Sequence, residues 1–430
     1  MKIVKSQKFL ISLALTGTLL LSGCGLLLNN IAPSQPPPEE VVTPEPPKPS
    51  TEEPVVVPVE EPVVVVDNSI RIAAVGDVMV HNPQWVAQRT GTNTFDFINN
   101  FQFVKPILES ADLSLANLET TILPGRKISS YPMFNSPPEI LDALKDAGFD
   151  VLTTINNHSL DTGKAGVLST LDQVEARGFR AVGTYRDKSE PKYLVETVKD
   201  IRLGITAFSY GSFSATDAFL NGLPAQGIGS QLNIMDASST TKAFNKIKTQ
   251  LDKMKGDNCE FLIVFLHWGT EYGRNPSAYQ KDLAQKLIDE GVDLILGSHP
   301  HLVQTMEFMT SSSGDHEGLV VYSMGNFLSN QRMEILNIEG TENGLISMVT
   351  LDKDEDGEVV IKAVEYIPTW INHYKHADNV RYVYEIVPIR EDYQATALQY
   401  NAPEIDVMKS LQWVQEIVTD DRIRIYEEKE

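Results

Sequence analysis

The sequence is poor in cysteine and in positive charge. Its 430 residues include two cysteines, Cys24 and Cys259, and the first belongs to the processing signal described below, which excludes an internal disulfide framework. Lys and Arg together number 36 against 58 Asp and Glu, a formal net charge of −22. Because sequence-independent binding to nucleic acid requires clustered basic residues that offset the phosphate charge, we exclude nucleic acid as a partner.

The sequence begins with an apolar run that is short for a membrane span. Three lysines precede the apolar residues 9–21, which is the pattern of a signal peptide, whereas a spanning helix needs about 20 apolar residues. The following Leu-Ser-Gly-Cys, residues 21–24, resembles the lipobox of bacterial lipoproteins, in which the cysteine is acylated and becomes the mature N-terminus. We therefore predict a signal peptide at 1–23, lipidation of Cys24 and an extracytoplasmic, membrane-anchored location. A plain signal peptide or a membrane helix with an incidental cysteine is the alternative.

A proline- and glutamate-rich segment separates the predicted anchor from the folded part. Residues 31–66 contain 11 of the 24 prolines and seven glutamates against one lysine. Proline favours extended polyproline geometry, and like charges keep such a segment stretched. We predict a disordered stalk at 24–68. Its valine-rich patches are also compatible with an edge strand, but the prolines remove backbone donors at short intervals.

From residue 69 onward, strand-like and helix-like patterns alternate. Residues 136–148 have a cap residue, first-turn prolines, helical apolar spacing and a terminal glycine, and an apolar segment follows at 149–155. The same helix–strand pattern recurs at 165–182 and 277–296. Further strands are predicted at 70–75, 113–116, 203–208, 261–266, 319–322, 345–351 and 359–367. The alternation predicts an α/β fold, with a folded domain at 69–370 and a C-terminal extension at 371–430 that contains a helix at 404–417.

An acidic stretch lies between the last two predicted strands. Asp352-Lys-Asp-Glu-Asp-Gly357 matches the first half of a calcium-binding loop, but the twelfth position is Ala363 rather than glutamate. Since strands flank the stretch, we interpret it as a hairpin turn containing Asp-Gly.

Polar residues follow six of the predicted strands, and five of the eight histidines lie among them. In open α/β sheets, ligands bind beyond the carboxyl ends of the strands. Imidazole and carboxylate groups suit Zn, Mn or Fe, and several of both converging from different strands would form a metal site. The six segments are Gly76–His81, Asn117–Glu119, Asn156–Asp161, His267–Tyr272, Gly297–His301 and Ser323–Phe327.

A single histidine is more often structural than a ligand. His316 and His376, which lie in polar surroundings, keep the structural interpretation, and His373 is undecided between the two. Cys259 precedes a predicted strand with no histidine beside it in the sequence, so we interpret it as a buried filler rather than a nucleophile.

The six motifs, in this order, resemble those of the CapA family of capsule-synthesis proteins. The resemblance runs from Ile70 to Pro368, which is most of the folded part. Members of that family are associated with the synthesis, export or retention of poly-γ-glutamate and are commonly membrane-anchored. The resemblance implies poly-γ-glutamate or a related surface polymer as a partner, together with membrane subunits of a capsule synthase or export complex.

The CapA family is in turn similar to calcineurin-like metallophosphatases, which implies a four-layer αββα sandwich. The implied ligands of one or two divalent ions (Mn, Zn or Fe) are Asp77, His81, Glu119, Asn157, His267, His299 and His301. The implied proton-transfer pair is His158 with Asp161, and the implied substrate contacts are Asn117, Glu271, Tyr272 and Asn326. Two departures bear on the number of metals: His81 lies four residues after Asp77 instead of forming Asp-x-His, and Asn-x-Glu replaces a Gly-Asp motif.

Three functions agree with these features. The first is a metal-dependent hydrolase or transfer site in poly-γ-glutamate capsule handling. The second is a non-catalytic polymer-binding or export-scaffold subunit, and the third is a cell-surface phosphatase unrelated to capsule. Because poly-γ-glutamate is polyanionic, an acidic domain repels it at low salt unless cations or a local basic patch intervene.

Overall fold

The computed structural model describes residues 68–377 and 380–427. The predicted signal peptide, the lipidation site Cys24 and the predicted stalk, apart from its last residue Asn68, lie outside the described residues. Among the residues that are described, no helix is both long and apolar enough to cross a membrane.

Within the described residues the chain forms eighteen β-strands and ten α-helices. The strands are β1 Ile70–Val78, β2 Leu113–Leu118, β3 Val151–Thr153, β4 Arg180–Val182, β5 Leu194–Val198, β6 Ile201–Phe213, β7 Ala218–Leu220, β8 Leu223–Pro224, β9 Ile234–Asp236, β10 Phe261–His267, β11 Leu294–Ser298, β12 Met306–Thr310, β13 Glu317–Val321, β14 Asn326–Leu328, β15 Asn343–Lys353, β16 Val359–Lys375, β17 Tyr382–Pro388 and β18 Ile423–Ile425. The helices are α1 Asn82–Ala87, α2 Ile98–Phe101, α3 Lys105–Glu109, α4 Glu139–Asp146, α5 Gly163–Glu175, α6 Thr240–Gly256, α7 Ala278–Asp289, α8 Met333–Leu336, α9 Tyr393–Tyr400 and α10 Glu404–Gln415.

The first sheet has a parallel half and an antiparallel half. Its strand order is β17-β16-β15-β1-β2-β3-β4, with β14 also paired to β1 and β18 to β16. Strands β1 to β4 run parallel, and β15 joins β1 in antiparallel register with Ile70 opposite Leu351. Since parallel strands end at the same edge of a sheet, the residues that follow β1, β2 and β3 are brought together.

The second sheet repeats this arrangement. Its strand order is β12-β13-β11-β10-β6-β7-β8, and β5 and β9 also pair with β6. Strands β6, β10, β11 and β13 are parallel. After β13 the chain crosses to the first sheet through residues 322–325 and enters β14, which pairs with the end of β1.

Three apolar cores divide the sandwich into four layers. In β1, Ile72 faces a core shared with the second sheet, whereas Val75 faces a core shared with α2 to α5. In β10, Ile263 belongs to the core between the sheets, and Val264 packs on α6 and α7. Alternate residues of a strand point to opposite faces, so both faces of these parallel strands are buried. The order helix, sheet, sheet, helix confirms the predicted αββα sandwich.

The strand and helix predictions differ from the structure mainly at element ends. Strand β1 continues to Val78 instead of ending at Val75, because its last residues pair with β2 and β14. The hairpin turn between β15 and β16 is confirmed, with Gly357 at φ +85°. The predicted C-terminal helix is α10.

The predicted boundary at residue 370 falls inside β16. β17 and β18 both pair with β16, so the described residues after 370 complete the first sheet. Trp413 and Val414 of α10 also join the core between the sheets. The C-terminal segment is therefore part of the same compact unit as the residues before it.

Candidate metal centre

Polar side chains from both sheets meet where the parallel strands end. Asp77 lies near the end of β1 and Glu119 directly follows β2. His267 is the last residue of β10, and His299 and His301 follow β11. All five residues are at most 3% exposed. The cluster therefore lies buried between the two sheets.

A β-bulge at the end of β1 directs Asp77 into this cluster. The pairing of β1 with β2 shifts register between Val75 and Asp77, and bulges commonly re-aim a side chain beside a functional site. A Cβ at Gly76 would lie 2.0 Å from the carbonyl oxygen of Gly325. Glycine is therefore required at position 76, where β1 passes close to Gly325. The same carbonyl oxygen of Gly325 accepts the Asp77 N–H at 3.0 Å.

Asp77 is held as a carboxylate. Its Oδ2 lies 3.0 Å from Nδ1 of His301 and accepts the backbone N–H of His299 at 3.3 Å, while Oδ1 accepts the Asn117 amide at 2.8 Å. Burial raises the pKa of Asp77, but the contacts with His301 and Asn117 outweigh burial and bring this pKa below its ordinary value. A buried anion of this kind is a suitable metal ligand.

His267 is fixed through one ring edge, and its other edge faces the cluster. Nδ1 lies 2.9 Å from the Ser298 hydroxyl and 3.3 Å from the Asn117 amide nitrogen. Nε2 lies 3.0 Å from Oδ1 of Asn157 and 3.7 Å from Oε1 of Glu119. Burial lowers the pKa of His267 well below its usual value, so the ring is neutral. A neutral imidazole is the form that binds metals.

Glu119 is the residue whose surroundings fit a bound cation most clearly. Among the described residues, nothing forms a hydrogen bond with either of its buried carboxylate oxygens, and Nδ1 of His299 is likewise buried without a partner. Burial, followed by the charge of Asp77, raises the pKa of Glu119 well above its usual value. Buried polar atoms normally have partners, so this set of orphaned acceptors fits a positively charged ion.

The cluster contains two groups of three side chains that could each hold an ion. One group is Asp77, Glu119 and His267, the other is Glu119, His299 and His301, and in each the ligand atoms lie within 4.8 Å of one another. Glu119 belongs to both groups, which is the position of a bridging acid. The residues present therefore fit one or two divalent cations.

His158 and Asp161 form a second buried pair beside the cluster. Nδ1 of His158 lies 2.8 Å from Oδ2 of Asp161, and the same oxygen accepts the backbone N–H of Phe134 at 2.6 Å. The Phe134 ring meets the His158 ring edge-on, with 4.8 Å between centroids. One edge of the imidazole is thus held in place and Nε2 is left for other contacts, as a proton donor or acceptor requires.

Three residues of the site have a left-handed backbone. His299, His301 and Tyr272 have φ values of +95°, +56° and +61°. Residues other than glycine rarely adopt this conformation, and where they do, it is commonly at a functional site. The two histidines are thereby turned toward Asp77 and Glu119.

His81 does not join either metal-holding group. Its Nδ1 accepts the backbone N–H of Asn330 at 3.2 Å, and its ring packs edge-on against Phe134 with 5.2 Å between centroids. Burial lowers the pKa of His81 to about 4, so the ring is neutral. Because Nδ1 of His81 accepts this hydrogen bond from Asn330, we place the predicted ligand His81 in the wall of the site and not in either group of potential metal ligands.

The four predicted substrate contacts divide into two buried and two accessible residues. Asn117 and Asn326 are fully buried, and their amides bond to Asp77 and to the carbonyl of Thr341, respectively. Tyr272 is half-buried, with its ring 6.0 Å from that of His301, and Glu271 is exposed. The two asparagines therefore position other groups, whereas Glu271 and Tyr272 can reach a bound molecule.

Sequence reasoning missed Tyr210 and Ser298. The Tyr210 ring stacks on His267 at 6.2 Å and contacts His299 at 4.6 Å between centroids. Tyr210 follows the predicted strand 203–208, so the pattern of polar residues after a strand could have indicated it. Ser298 was part of a motif, but its bond to His267 depends on the pairing of β11 with β10.

The chain is thus an αββα sandwich with a histidine–carboxylate cluster at its strand ends. The family model of the bacterial capsule synthesis protein PGA_cap matches residues 71–331. The chain belongs to this family.

Two curated relatives are named CapA. The chain is 29% identical over 272 residues to the capsule biosynthesis protein CapA of Bacillus anthracis, a match that covers 62% of this chain and 61% of that protein. It is 28% identical over 273 residues to the PGA biosynthesis protein CapA of Bacillus subtilis (strain 168), covering 62% and 64%. The chain thus spans a little over three fifths of the length of these relatives.

The fold is also similar to that of solved structures, one of which is described here. A putative 5'-nucleotidase from Staphylococcus aureus, crystallised in complex with alpha-ketoglutarate, aligns with a TM-score of 0.41 and 14% sequence identity. The alignment covers 77% of this chain and 58% of that chain.

Proposed function

We propose that this protein is an extracytoplasmic, lipid-anchored accessory protein of poly-γ-glutamate capsule synthesis or export, with a metal-dependent hydrolase or transfer site at the strand ends. Family membership supports the capsule role. The observation that carries the metal site is the buried Glu119 carboxylate, which lacks hydrogen-bond partners among the described residues and belongs to both groups of potential ligands.

Each residue of the cluster has a stated role in this proposal. Asp77, Glu119, Asn157 and the three histidines 267, 299 and 301 hold the metal. When bound, one or two divalent ions would polarise a phosphoester, ester or amide and activate water. His158, held by Asp161, delivers a proton to the leaving group through Nε2. Glu271 and Tyr272, the accessible pair, contact the substrate.

The anchor rests on the sequence alone. The lipobox-like residues 21–24 support acylation of Cys24, and buried acyl methylenes contribute about 0.8 kcal/mol each to membrane binding. Labelling cells with a palmitate analogue tests this proposal. The full-length protein should be labelled and the Cys24→Ser variant should not, and label in both would contradict it.

Elemental analysis of the full-length protein tests the metal site. After reconstitution with Mn, Zn or Fe, the wild type should contain stoichiometric metal, and His267→Ala and His301→Ala should lose it. His316→Ala is the matched control, because His316 bonds to the carbonyl of Val292 away from the cluster. The proposal fails if the reconstituted wild type holds no metal.

His158 separates metal binding from chemistry. His158→Gln should retain metal but lower the turnover of a phosphoester or γ-glutamyl substrate by about 10²- to 10⁴-fold, the usual contribution of a general acid. Full turnover by this variant would remove His158 from the mechanism.

The second candidate is a non-catalytic polymer-binding or export-scaffold subunit. The near-complete burial of the cluster favours it, since a buried ion can stabilise a binding surface without meeting substrate. Capsule formation in cells that carry His158→Gln discriminates the two. Loss of capsule with metal retained supports catalysis, and normal capsule supports the scaffold.

A further inference from the structure

A cleft of about 520 Å³ lies on the first-sheet side of the site. The segment from Trp85 to Phe95, which includes the end of α1, forms one wall, and the loop after β2 together with the start of α4 forms the rest. We call it the cationic cleft, and the side chains that matter below are Trp85, Arg89, Phe95, Arg126, Lys127 and Glu139.

The charge of this cleft is opposite to that of the chain as a whole. It contains Arg89, Arg126 and Lys127 against the single acid Glu139, whereas the chain has a net charge of −22. In the part of the chain that the structure describes, none of the three cations forms an ion pair with a carboxylate. A local concentration of unpaired positive charge attracts anions even on an acidic protein.

Arg89 is positioned to receive a carboxylate. Its guanidinium carbon lies 5.4 Å from the centroid of Trp85 and 5.7 Å from that of Phe95, and an isolated β-bridge joins the backbones of Arg89 and Phe95. The aromatic contacts restrict the guanidinium and leave its N–H groups available. A planar guanidinium with free N–H groups binds a carboxylate through two parallel hydrogen bonds.

Two further polar atoms of the cleft are buried without a partner among the described residues. They are the indole N–H of Trp85, which is a donor, and Oε2 of Glu139, which is an acceptor. At the surface of the cleft, the exposed Arg89, Arg126 and Lys127 offer several donors for carboxylate oxygens. A polyamide that carries a carboxylate on every unit presents such oxygens at regular intervals.

The cleft wall is continuous with the candidate metal centre. Ser136 lines the cleft, and its hydroxyl lies 2.7 Å from that of Thr120, the neighbour of Glu119. Phe134, two residues earlier and at most about 7 Å away along the chain, contacts His158. A chain bound in the cleft therefore lies beside the proton-transfer pair.

We infer that the cationic cleft binds the carboxylates of an anionic polyamide chain next to the metal centre. This inference rests on the proposed function, to which it adds a binding site for the polymer. It resolves the electrostatic difficulty of an acidic domain that handles a polyanion, because the polymer meets a basic surface near the candidate metal centre.

Binding of poly-γ-glutamate of defined length to the full-length protein, measured by titration calorimetry, tests the inference. The test variant is Arg89→Gln/Arg126→Gln/Lys127→Gln, whose three side chains are exposed, so the fold should be retained. Its affinity should fall about tenfold or more, since each exposed charge pair contributes up to about fivefold. The affinity of the wild type should also fall with added salt.

The matched control removes three charges from the opposite end of the sandwich. Arg71, Arg422 and Arg424 line a groove there, and their triple Gln variant has the same net charge as the test variant. Its affinity should change less than about twofold, the size of a weak surface charge effect. Equal loss in both variants, unchanged binding by the cleft variant, or no binding by the wild type would overturn the inference.

Two further measurements keep the outcomes distinct. If inorganic polyphosphate binds as tightly as poly-γ-glutamate, the assignment to carboxylates is overturned. The metal content of the cleft variant should equal that of the wild type, so failure of the metal site and failure of the cleft give different results.

Discussion

The two ends of the sandwich differ in how their charges are satisfied. At the basal end, where the parallel strands begin, a groove of about 970 Å³ contains Arg422 paired with Glu317 at 2.8 Å and Arg71 paired with Glu365 at 3.8 Å. At the strand-end site, neither oxygen of the buried Glu119 carboxylate has a hydrogen-bond partner among the described residues. The basal charges are thus more completely paired than those of the strand-end site. Unsatisfied polar groups indicate the functional end.

The largest expected effect comes from replacing the unsatisfied acid. Glu119→Gln should abolish most of the stabilisation that added Mn²⁺ or Zn²⁺ gives the wild type, about 3 kcal/mol at a hundredfold excess over Kd. Glu317→Gln, the basal control, should keep the full gain. Chemical unfolding with and without metal measures both, and a full gain in Glu119→Gln would remove this residue from the ligand set.

The second effect comes from backbone packing at the strand-end site. In Gly297→Ala the new Cβ would lie 2.0 Å from the carbonyl oxygen of Tyr322, so we expect a loss of about 2 to 3 kcal/mol in the free energy of unfolding. Gly256→Ala at the end of α6 meets nothing within 4 Å and should stabilise by up to about 1 kcal/mol. Urea unfolding compares the two, and equal stabilities would contradict the close approach.

A smaller effect concerns His373, whose ring packs against aromatic rings instead of pairing with a charged group. Its ring lies 4.5 Å from that of Tyr382 and 4.7 Å from that of Tyr384, and burial lowers the pKa of His373 to about 4. In the unfolded chain, His373 takes up a proton near its ordinary pKa of 6.5. The contribution of the neutral ring to the free energy of unfolding is therefore fully present above pH 6.5 and is lost as the pH falls toward 4.

His373→Phe keeps the stacking and removes the proton. Between pH 6.5 and 4 it should lose less stability than the wild type, by about 1 to 2 kcal/mol after allowance for the partial exposure of the ring. Urea unfolding across this pH range measures the difference. Parallel profiles for the two proteins would show that His373 does not contribute to acid sensitivity.

The smallest effect belongs to the basal ion pair. A double-mutant cycle of Arg422→Ala and Glu317→Ala should give a coupling energy of about 0.2 to 1 kcal/mol, as for other exposed pairs, and it should shrink with added salt. A coupling above this range would mean that the basal end also stores substantial electrostatic energy, which would weaken the contrast between the two ends.

The sequence predicted those parts of the molecule that local patterns determine. Apolar runs ending in polar residues located β1, β2, β10 and β11, and the motifs after them predicted the residues that meet in the cluster. Family resemblance added the four-layer arrangement. The hairpin at Gly357 followed from turn chemistry and flanking strands.

Features that depend on distant contacts were not predictable in this way. The bulge at Gly76 lies in the pairing of β1 with β2, strands that are separated by 34 residues in sequence, and the ring of Tyr210 reaches the cluster only because β6 lies beside β10. His81 has the right residue type in the right motif, but its nitrogen bonds to Asn330. The extension of β16 beyond residue 370 depends on β17, which supplies its partner.

The position of β1 also determines when this domain can fold. β1 is the first strand of the described chain, but Ile70 pairs with Leu351 of β15, near the other end of the sequence. Such distant pairing slows folding, because a long loop must close before the contact forms. A growing chain, or a fragment that ends at residue 331, would leave one side of β1 without β15 and exposed to aggregation. The first sheet can therefore be completed only when nearly all of the domain has been synthesised.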